Sequence, residues 1–146
     1  MKPEKKAEPN VKQDVPFFMV SNMEDSLHYY VDGLGLEMTK KWIDEGKLRW
    51  CWLQLGGAAL MLQEPRKERP DSWRPHGKVG DGVSIYFICE DALAIYRQAI
   101  SHGIQASRPF VGNAMWVPEL SDPDGYKINF ESDTDVPEET IYSEHE

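Results

Sequence analysis

The clearest structural pattern in the sequence is found in Ser121-Asp122-Pro123-Asp124-Gly125-Tyr126-Lys127-Ile128-Asn129-Phe130-Glu131-Ser132. Its first half is typical of a tight turn, because Asp122 can bond its own backbone, Pro123 presets φ and Gly125 allows the chain to leave the turn. Apolar and polar residues then alternate, which predicts a strand with one buried face. Asn129 and Glu131 lie on the polar face of that strand, so their surroundings matter most for function.

Length and composition predict one globular domain. The chain has 146 residues, of which 40% are hydrophobic and 11% aromatic, enough for a sizeable core. No stretch approaches the ~20 apolar residues of a membrane span, and the N-terminus lacks an apolar leader. We therefore expect a soluble, cytoplasmic protein with no membrane partner. Cys51 and Cys89 are the only cysteines, and we expect both to be reduced and buried.

The net charge of −9 is unevenly distributed. Residues 133–146 form an acidic C-terminal tail without Lys or Arg, whereas residues 1–14 form a predicted flexible arm that contains four lysines. The region between them is modestly acidic. This argues against nucleic acid as a partner and leaves room for a cationic ligand.

An internal repeat organises the chain. Residues 15–64 are predicted to form strand, helix and three strands, and residues 81–132 repeat that order. A hairpin in each half shows the correspondence. Residues 50–55 match residues 116–121, and after a turn in each case the strand that follows in the first half matches residues 128–131. The Pro-, Gly- and charge-rich segment 65–80 reads as a linker, with Trp73 and His76 as its two notable side chains. A repeated βαβββ unit predicts an α+β fold.

The chain resembles the vicinal oxygen chelate superfamily. The resemblance rests on the duplicated βαβββ unit, on the turn Asp122-Pro123-Asp124-Gly125 before the last strand, and on residues 22–36 in the place of the first helix. Glyoxalases, extradiol dioxygenases and bleomycin resistance proteins belong to this superfamily. The resemblance covers residues 14–132 and implies that the two units form a curled mixed sheet, a half-open barrel around a ligand cavity. It also implies a homodimer.

The resemblance further identifies four positions that carry metal ligands in the metal-dependent relatives. Such members bind Zn, Ni, Mn or Fe through histidines and carboxylates on the first and last strands of each unit. In this chain those positions fall at Val15, Met61, Val83 and Asn129. A shift of one residue supplies no better ligand, so no metal cofactor is predicted.

Strand alternation predicts the lining of the cavity once the apolar residues of both hairpins are placed under the helices, namely Leu53, Leu55, Leu60, Leu62, Ile128 and Phe130. The opposite set is mostly apolar and aromatic with a few polar groups, the usual make-up of a small-molecule pocket. Tryptophan faces stack on planar rings and attract cations. The predicted lining is Phe17, Met19, Trp50, Trp52, Gln54, Met61, Gln63, Val83, Ile85, Phe87, Trp116, Asn129 and Glu131.

These residues support three hypotheses. The leading one is a metal-independent binder that resembles bleomycin resistance proteins and holds a planar or cationic compound, with Asn129 and Glu131 as polar anchors. The alternative is a glyoxalase- or dioxygenase-like enzyme with a divergent metal site, in which Glu131 is the candidate general base. In the third, the tryptophans fill the barrel or an interface and no ligand binds.

Overall fold

The computed structural model describes residues 9–66 and 77–144. Trp73 and His76 lie outside the described residues. The strands and helices that follow are given in chain order. They are β1 (Phe17–Met19), α1 (Met23–Leu27, continued by a wider π-helical turn over His28–Gly33), β2 (Glu37–Asp44), β3 (Lys47–Leu55), β4 (Ala58–Gln63), β5 (Ser84–Ile88), α2 (Ala92–Ser101), β6 (Phe110–Gly112), β7 (Met115–Val117), β8 (Glu119–Ser121) and β9 (Lys127–Asp133).

The strands form two mixed sheets, one from each repeated unit. The first has the order β1-β4-β3-β2, and the second has the order β5-β9-β7-β6 with β8 also paired to β9. In each unit the first strand lies parallel to the last, while the other pairs are antiparallel. The predicted α+β class with two repeated units is confirmed. The two sheets do not close into a barrel.

Side-chain caps fix where each helix begins. The Asn22 carboxamide accepts the Asp25 amide at 3.0 Å, and the Asp91 carboxylate accepts the Ala94 amide at 3.0 Å. Both satisfy backbone donors that the first helical turn leaves free. None of the described helices has the length and apolar character needed to cross a membrane.

One buried core joins the two units. It contains Leu53, Leu60 and Leu62 from the first sheet together with Ile128 and Phe130 from the second. The leucines and the alternating residues of β9 therefore pack as the sequence predicts. Because these core faces share one interior, the opposite face of each sheet is directed away from it and is called here the outer face.

The Asp122 turn connects the second unit to the first. Asp122 is buried, and its Oδ1 accepts the amides of Asp124 and Tyr126, each at 2.9 Å. Its Oδ2 accepts the Tyr30 hydroxyl of the first unit at 2.7 Å. The Tyr126 ring then stacks on Phe18, with centroids 4.0 Å apart. The segment 121–132 is thus the junction of the two units.

The second unit departs from the predicted strand lengths. The predicted strand over residues 114–121 is divided into β7 and β8 at Pro118, because proline lacks the amide that a ladder needs. The described part of the acidic tail packs along β6: the Val111 amide donates to the Thr140 carbonyl at 3.0 Å, and the Tyr142 amide donates to the Pro109 carbonyl at 2.9 Å.

Candidate functional site

The outer face of the first sheet is aromatic. Strand register places Phe17 and Trp52 beside Met61, and Met19 and Trp50 beside Gln63. Seven predicted lining residues therefore share this surface. The aromatic face consists of Phe17, Met19, Trp50, Trp52, Gln54, Met61 and Gln63, to which β2 adds Lys40 and Trp42.

Lys40 gives the aromatic face its positive charge. Its Nζ lies 4.5 Å from the centroid of the Trp52 ring, a cation–π distance. The Trp52 indole N–H is already paired, because it donates to Gln54 Oε1 at 2.9 Å. Lys40 and Trp42 were not predicted from the sequence. Their pairing with Trp52 and Trp50 depends on two register shifts in β2, which residue alternation does not reveal.

The outer face of the second sheet is acidic. Asn129 pairs with Tyr86 on one side and Glu119 on the other, while Glu131 pairs with Ile88. These five residues define the carboxylate face. Tyr86, Ile88 and Glu119 were not identified from the sequence.

Asn129 is the buried polar group of the carboxylate face. Its side chain is only 4% exposed, and its Oδ1 has no hydrogen-bond donor among the described residues. A buried acceptor without a partner is unfavourable by about 1–3 kcal/mol. Asn129 is therefore suited to accept a hydrogen bond from a bound molecule. A cavity of about 250 Å³ is lined by Tyr86, which is the strand partner of Asn129, and by Phe110, Val117 and Glu131 among others.

Three predicted lining residues in or just before β5 do not join this face. Ile85 pairs with Ile128 and Phe87 with Phe130, so both lie on the core side of the sheet. Val83 precedes β5 and is exposed. The placement of Ile85 and Phe87 opposite the core was wrong by one residue, because the strand is apolar on both faces and shows no alternation.

Trp116 also lies on the core side. It pairs with Ser132 and Val111, and its ring meets Tyr142 edge-on with centroids 5.9 Å apart. The prediction aligned Trp116 with Trp50, but the two units superpose through other pairs. Leu53 faces Leu60 as Leu120 faces Ile128, so the equivalent of Trp52 is Glu119.

The four metal-ligand positions of the metal-dependent relatives offer a donor set that does not fit such a metal. The strand partner of Met61 is Phe17 rather than Val15, and that of Asn129 is Tyr86 rather than Val83. A phenyl ring, a thioether, a phenol and an amide replace histidines and carboxylates. Over residues 9–66 and 77–144, no group of three or more His, Cys, Asp or Glu is placed to hold a metal ion.

The strongest electrostatic perturbations lie at the junction of the units. Burial raises the pKa of Asp122 above its ordinary value, although its hydrogen bonds to Tyr30, Tyr126 and Asp124 oppose that shift. Burial, followed by the nearby Asp122, also raises the pKa of Tyr30. These groups hold the two units together and belong to neither outer face.

Known proteins of similar structure share this fold at low sequence identity. The antibiotic-binding protein TnmS3 from Streptomyces sp. CB03234 is 20% identical, with a TM-score of 0.63 over 84% of this chain and 98% of that one. A bleomycin-binding protein complexed with bleomycin is 20% identical, with a TM-score of 0.62 over 84% and 99%. A lactoylglutathione lyase from Agrobacterium tumefaciens is 19% identical, with a TM-score of 0.62 over 86% and 96%.

The sequence itself gives the family. A comparison with curated proteins finds no match. The profile of the Glyoxalase/Bleomycin resistance protein/Dioxygenase superfamily, however, matches residues 12–130, which includes the first repeated unit and all but the end of the second. The chain therefore belongs to the glyoxalase/bleomycin resistance protein/dioxygenase superfamily.

Proposed function

We propose that this protein is a metal-independent small-molecule binder that holds a planar or cationic compound between two aromatic and polar surfaces. The observation that carries the proposal is the pair of outer faces: one presents Trp50 and Trp52, and the other presents the buried acceptor Asn129 beside Glu131. Rings suit a planar ligand, and the amide and carboxylate suit its donor or cationic groups.

The two faces point away from one shared core, so a second copy of the chain is the natural way to bring them together. Each face carries large exposed apolar side chains, among them Trp42 at 51% and Ile88 at 68% exposure. Such surfaces are typical of interaction sites. Lys40 on the aromatic face and Glu119 and Glu131 on the carboxylate face are complementary in charge. We propose a homodimer in which each ligand site combines one face from each subunit.

The donor set of Phe17, Met61, Tyr86 and Asn129 supports this function over the metal-dependent alternative, because it does not suit the divalent ions of glyoxalases. The fold itself is compatible with both functions, since the bleomycin-binding protein, TnmS3 and the lactoylglutathione lyase all share it. Cys51 and Cys89 are free cysteines, which fits a reducing, cytoplasmic setting.

Calorimetric titration with bleomycin tests the proposal. Trp52→Ala should weaken binding about tenfold, the loss of roughly 1.4 kcal/mol that one aromatic contact can supply. Glu131→Gln should weaken binding of the cationic ligand and reduce its salt dependence. Trp116→Phe is the matched control, because that ring lies on the core side and its replacement should leave affinity unchanged.

The competing outcomes are distinct. Stoichiometric bound metal that is lost in Asn129→Ala would overturn the metal-independent function and favour the enzyme alternative. A monomer by sedimentation at all concentrations, with bleomycin binding retained, would overturn the shared site alone. No binding of any aromatic cation by the wild-type protein would leave the third hypothesis, a module without a ligand.

A further inference from the structure

A second cavity, of about 570 Å³, lies between the two units on the core side of the sheets. Its buried walls include Phe87 and Phe130 from the second sheet and Ala99 from α2. From the first unit, Leu34 and Leu55 line it. We propose that this inter-unit cavity is a separate binding site for an apolar small molecule that carries one amine group.

The size of the inter-unit cavity suits a small ligand. Its inner wall is buried at Phe87, Ala99 and Phe130, whereas Ile88 and Glu90 at its rim are exposed, so the cavity is an open cleft. A space of about 570 Å³ falls within the range of about 300–1,000 Å³ that ligand pockets occupy.

Residues without bulky side chains keep the cavity open. The β3–β4 turn reaches it through Gly56 and Gly57, and neither glycine has an atom within 4 Å of where a Cβ would stand. α2 contributes the small side chain of Ala99. A larger residue at these positions would fill part of the space, so the sequence leaves room at the point where the two units meet.

The chemistry of the lining selects the class of ligand. Among the described residues that line the cavity, Glu90 is the carboxylate and none is Lys, Arg or His. Cys89 also lines the cavity, and burial raises the pKa of its thiol, which therefore stays protonated and uncharged. An anion would find no positive partner among these described residues. Glu90 and Gln98 offer oxygens to an N–H group, while the remaining walls accept an apolar ring.

The inter-unit cavity is distinct from the proposed ligand site on the outer faces, although the two meet at its rim. Its wall residues Phe87 and Phe130 point to the core side, whereas Asn129 and Glu131 point to the outer face of the same sheet. Tyr86 and Ile88 of the carboxylate face border the cavity, but neither Asn129 nor Glu131 is among its described lining residues. The proposal does not depend on a dimer or on the ligand of the outer faces.

The test uses the fluorescent neutral arylamine N-phenyl-1-naphthylamine as the probe. We expect saturable fluorescence enhancement with wild-type protein. Ala99→Leu should weaken probe affinity at least tenfold, because the added carbons occupy the cavity. Ala94→Leu is the matched control: Ala94 lies on the same helix, is exposed and does not line the cavity, so affinity should be unchanged.

A second measurement uses the wild-type chain, so the test remains decisive if Ala99→Leu fails to fold. At mildly alkaline pH, where part of the Cys89 thiol ionises, N-ethylmaleimide should label this half-buried residue slowly, and saturating probe should slow that labelling at least fivefold. Cys51, which is fully buried, serves as the unlabelled internal reference. The proposal is overturned by absent probe binding, by unprotected Cys89, by equal affinities of the two leucine variants, or by loss of probe binding in Trp52→Ala. That last result would place the probe on the aromatic face instead.

Discussion

The two repeated units are alike on the inside and different on the outside. Leu53 and Leu120 occupy equivalent core positions, and each faces the core residue of the next strand, Leu60 or Ile128. Their outward neighbours differ, with Trp52 in one unit and Glu119 in the other. The two units therefore share the residues that pack in the core and differ in the residues that face solvent or a ligand.

The largest expected effect tests the inner half of that comparison. Leu53→Ala and Leu120→Ala should each lower the free energy of unfolding by about 2–5 kcal/mol, because each removes buried methyl groups and leaves a cavity. Urea denaturation followed by circular dichroism measures the change. The outward partners Trp52→Ala and Glu119→Ala are the controls and should cost far less.

If Leu120→Ala lowered the free energy of unfolding by no more than about 0.5 kcal/mol, as surface substitutions do, Leu53 and Leu120 would not be equivalent. That result would mean that the short strand β8 does not hold the second unit in the register of the first. In that case Glu119 would no longer be the equivalent of Trp52.

The next effect concerns the bonds that join the units. Tyr30→Phe removes the donor to the buried carboxylate of Asp122 and should lower stability by about 1–3 kcal/mol. Tyr126→Phe is the matched control: it removes a hydroxyl that donates to the neutral Met19 carbonyl at 2.9 Å, and it should cost about 0.5–1.5 kcal/mol. An equal loss of stability in both variants would show that the charge of Asp122 does not strengthen its hydrogen bond with Tyr30.

The junction also gives a pH dependence with a definite sign. The pKa of Asp122 is raised in the folded state, mainly by burial. Above the ordinary value of 3.8 the folded state therefore holds a proton that the unfolded state has lost. Relative to Asp122→Asn, the wild-type protein should lose stability as the pH rises through that window. A gain would mean that the three hydrogen bonds to this carboxylate outweigh its burial.

The same inside–outside difference explains what the sequence could predict. In β9, where apolar residues alternate with polar ones, alternation placed Asn129 and Glu131 on the outer face. In β4 the buried Leu60 and Leu62 alternate with half-buried Met61 and Gln63, so Leu60 was placed on the core side. β5 is apolar on both faces, so alternation carried no information and Ile85 was assigned to the wrong side. Aligning the units by their conspicuous tryptophans failed for Trp116, because outward residues are the ones that the repeat does not preserve.

Contacts between distant parts of the chain could not be predicted from local sequence patterns. The place of Lys40 beside Trp52 depends on irregular pairing within β2. The packing of the acidic tail along β6 depends on bonds between its backbone and residues about 30 positions earlier, such as Val111 with Thr140. The inter-unit cavity arises only when the two units meet.

The smallest effect concerns the two-residue turns that begin the equivalent hairpins. Glu45 and Gly46 have φ of 53° and 77°, and Asn113 and Ala114 have φ of 53° and 63°. Positive φ at both positions is the type I′ pattern, which glycine adopts without strain and alanine does not. Gly46→Ala should therefore lower the free energy of unfolding by about 1 kcal/mol, and Ala114→Gly should raise it by up to about 1 kcal/mol.

The turn at Asn113 and Ala114, unlike the turn at Glu45 and Gly46, is also held by the side chain of Glu138. The Glu138 carboxylate accepts the amides of Asn113 and Ala114 at 3.1 and 2.6 Å, which helps to hold the left-handed backbone. Glu138→Gln should therefore lower stability more in the wild-type chain than in Ala114→Gly, where no strain has to be held. Thermal unfolding of the four proteins measures this coupling. Equal losses in both backgrounds would show that the tail contributes bonds without holding the strained turn.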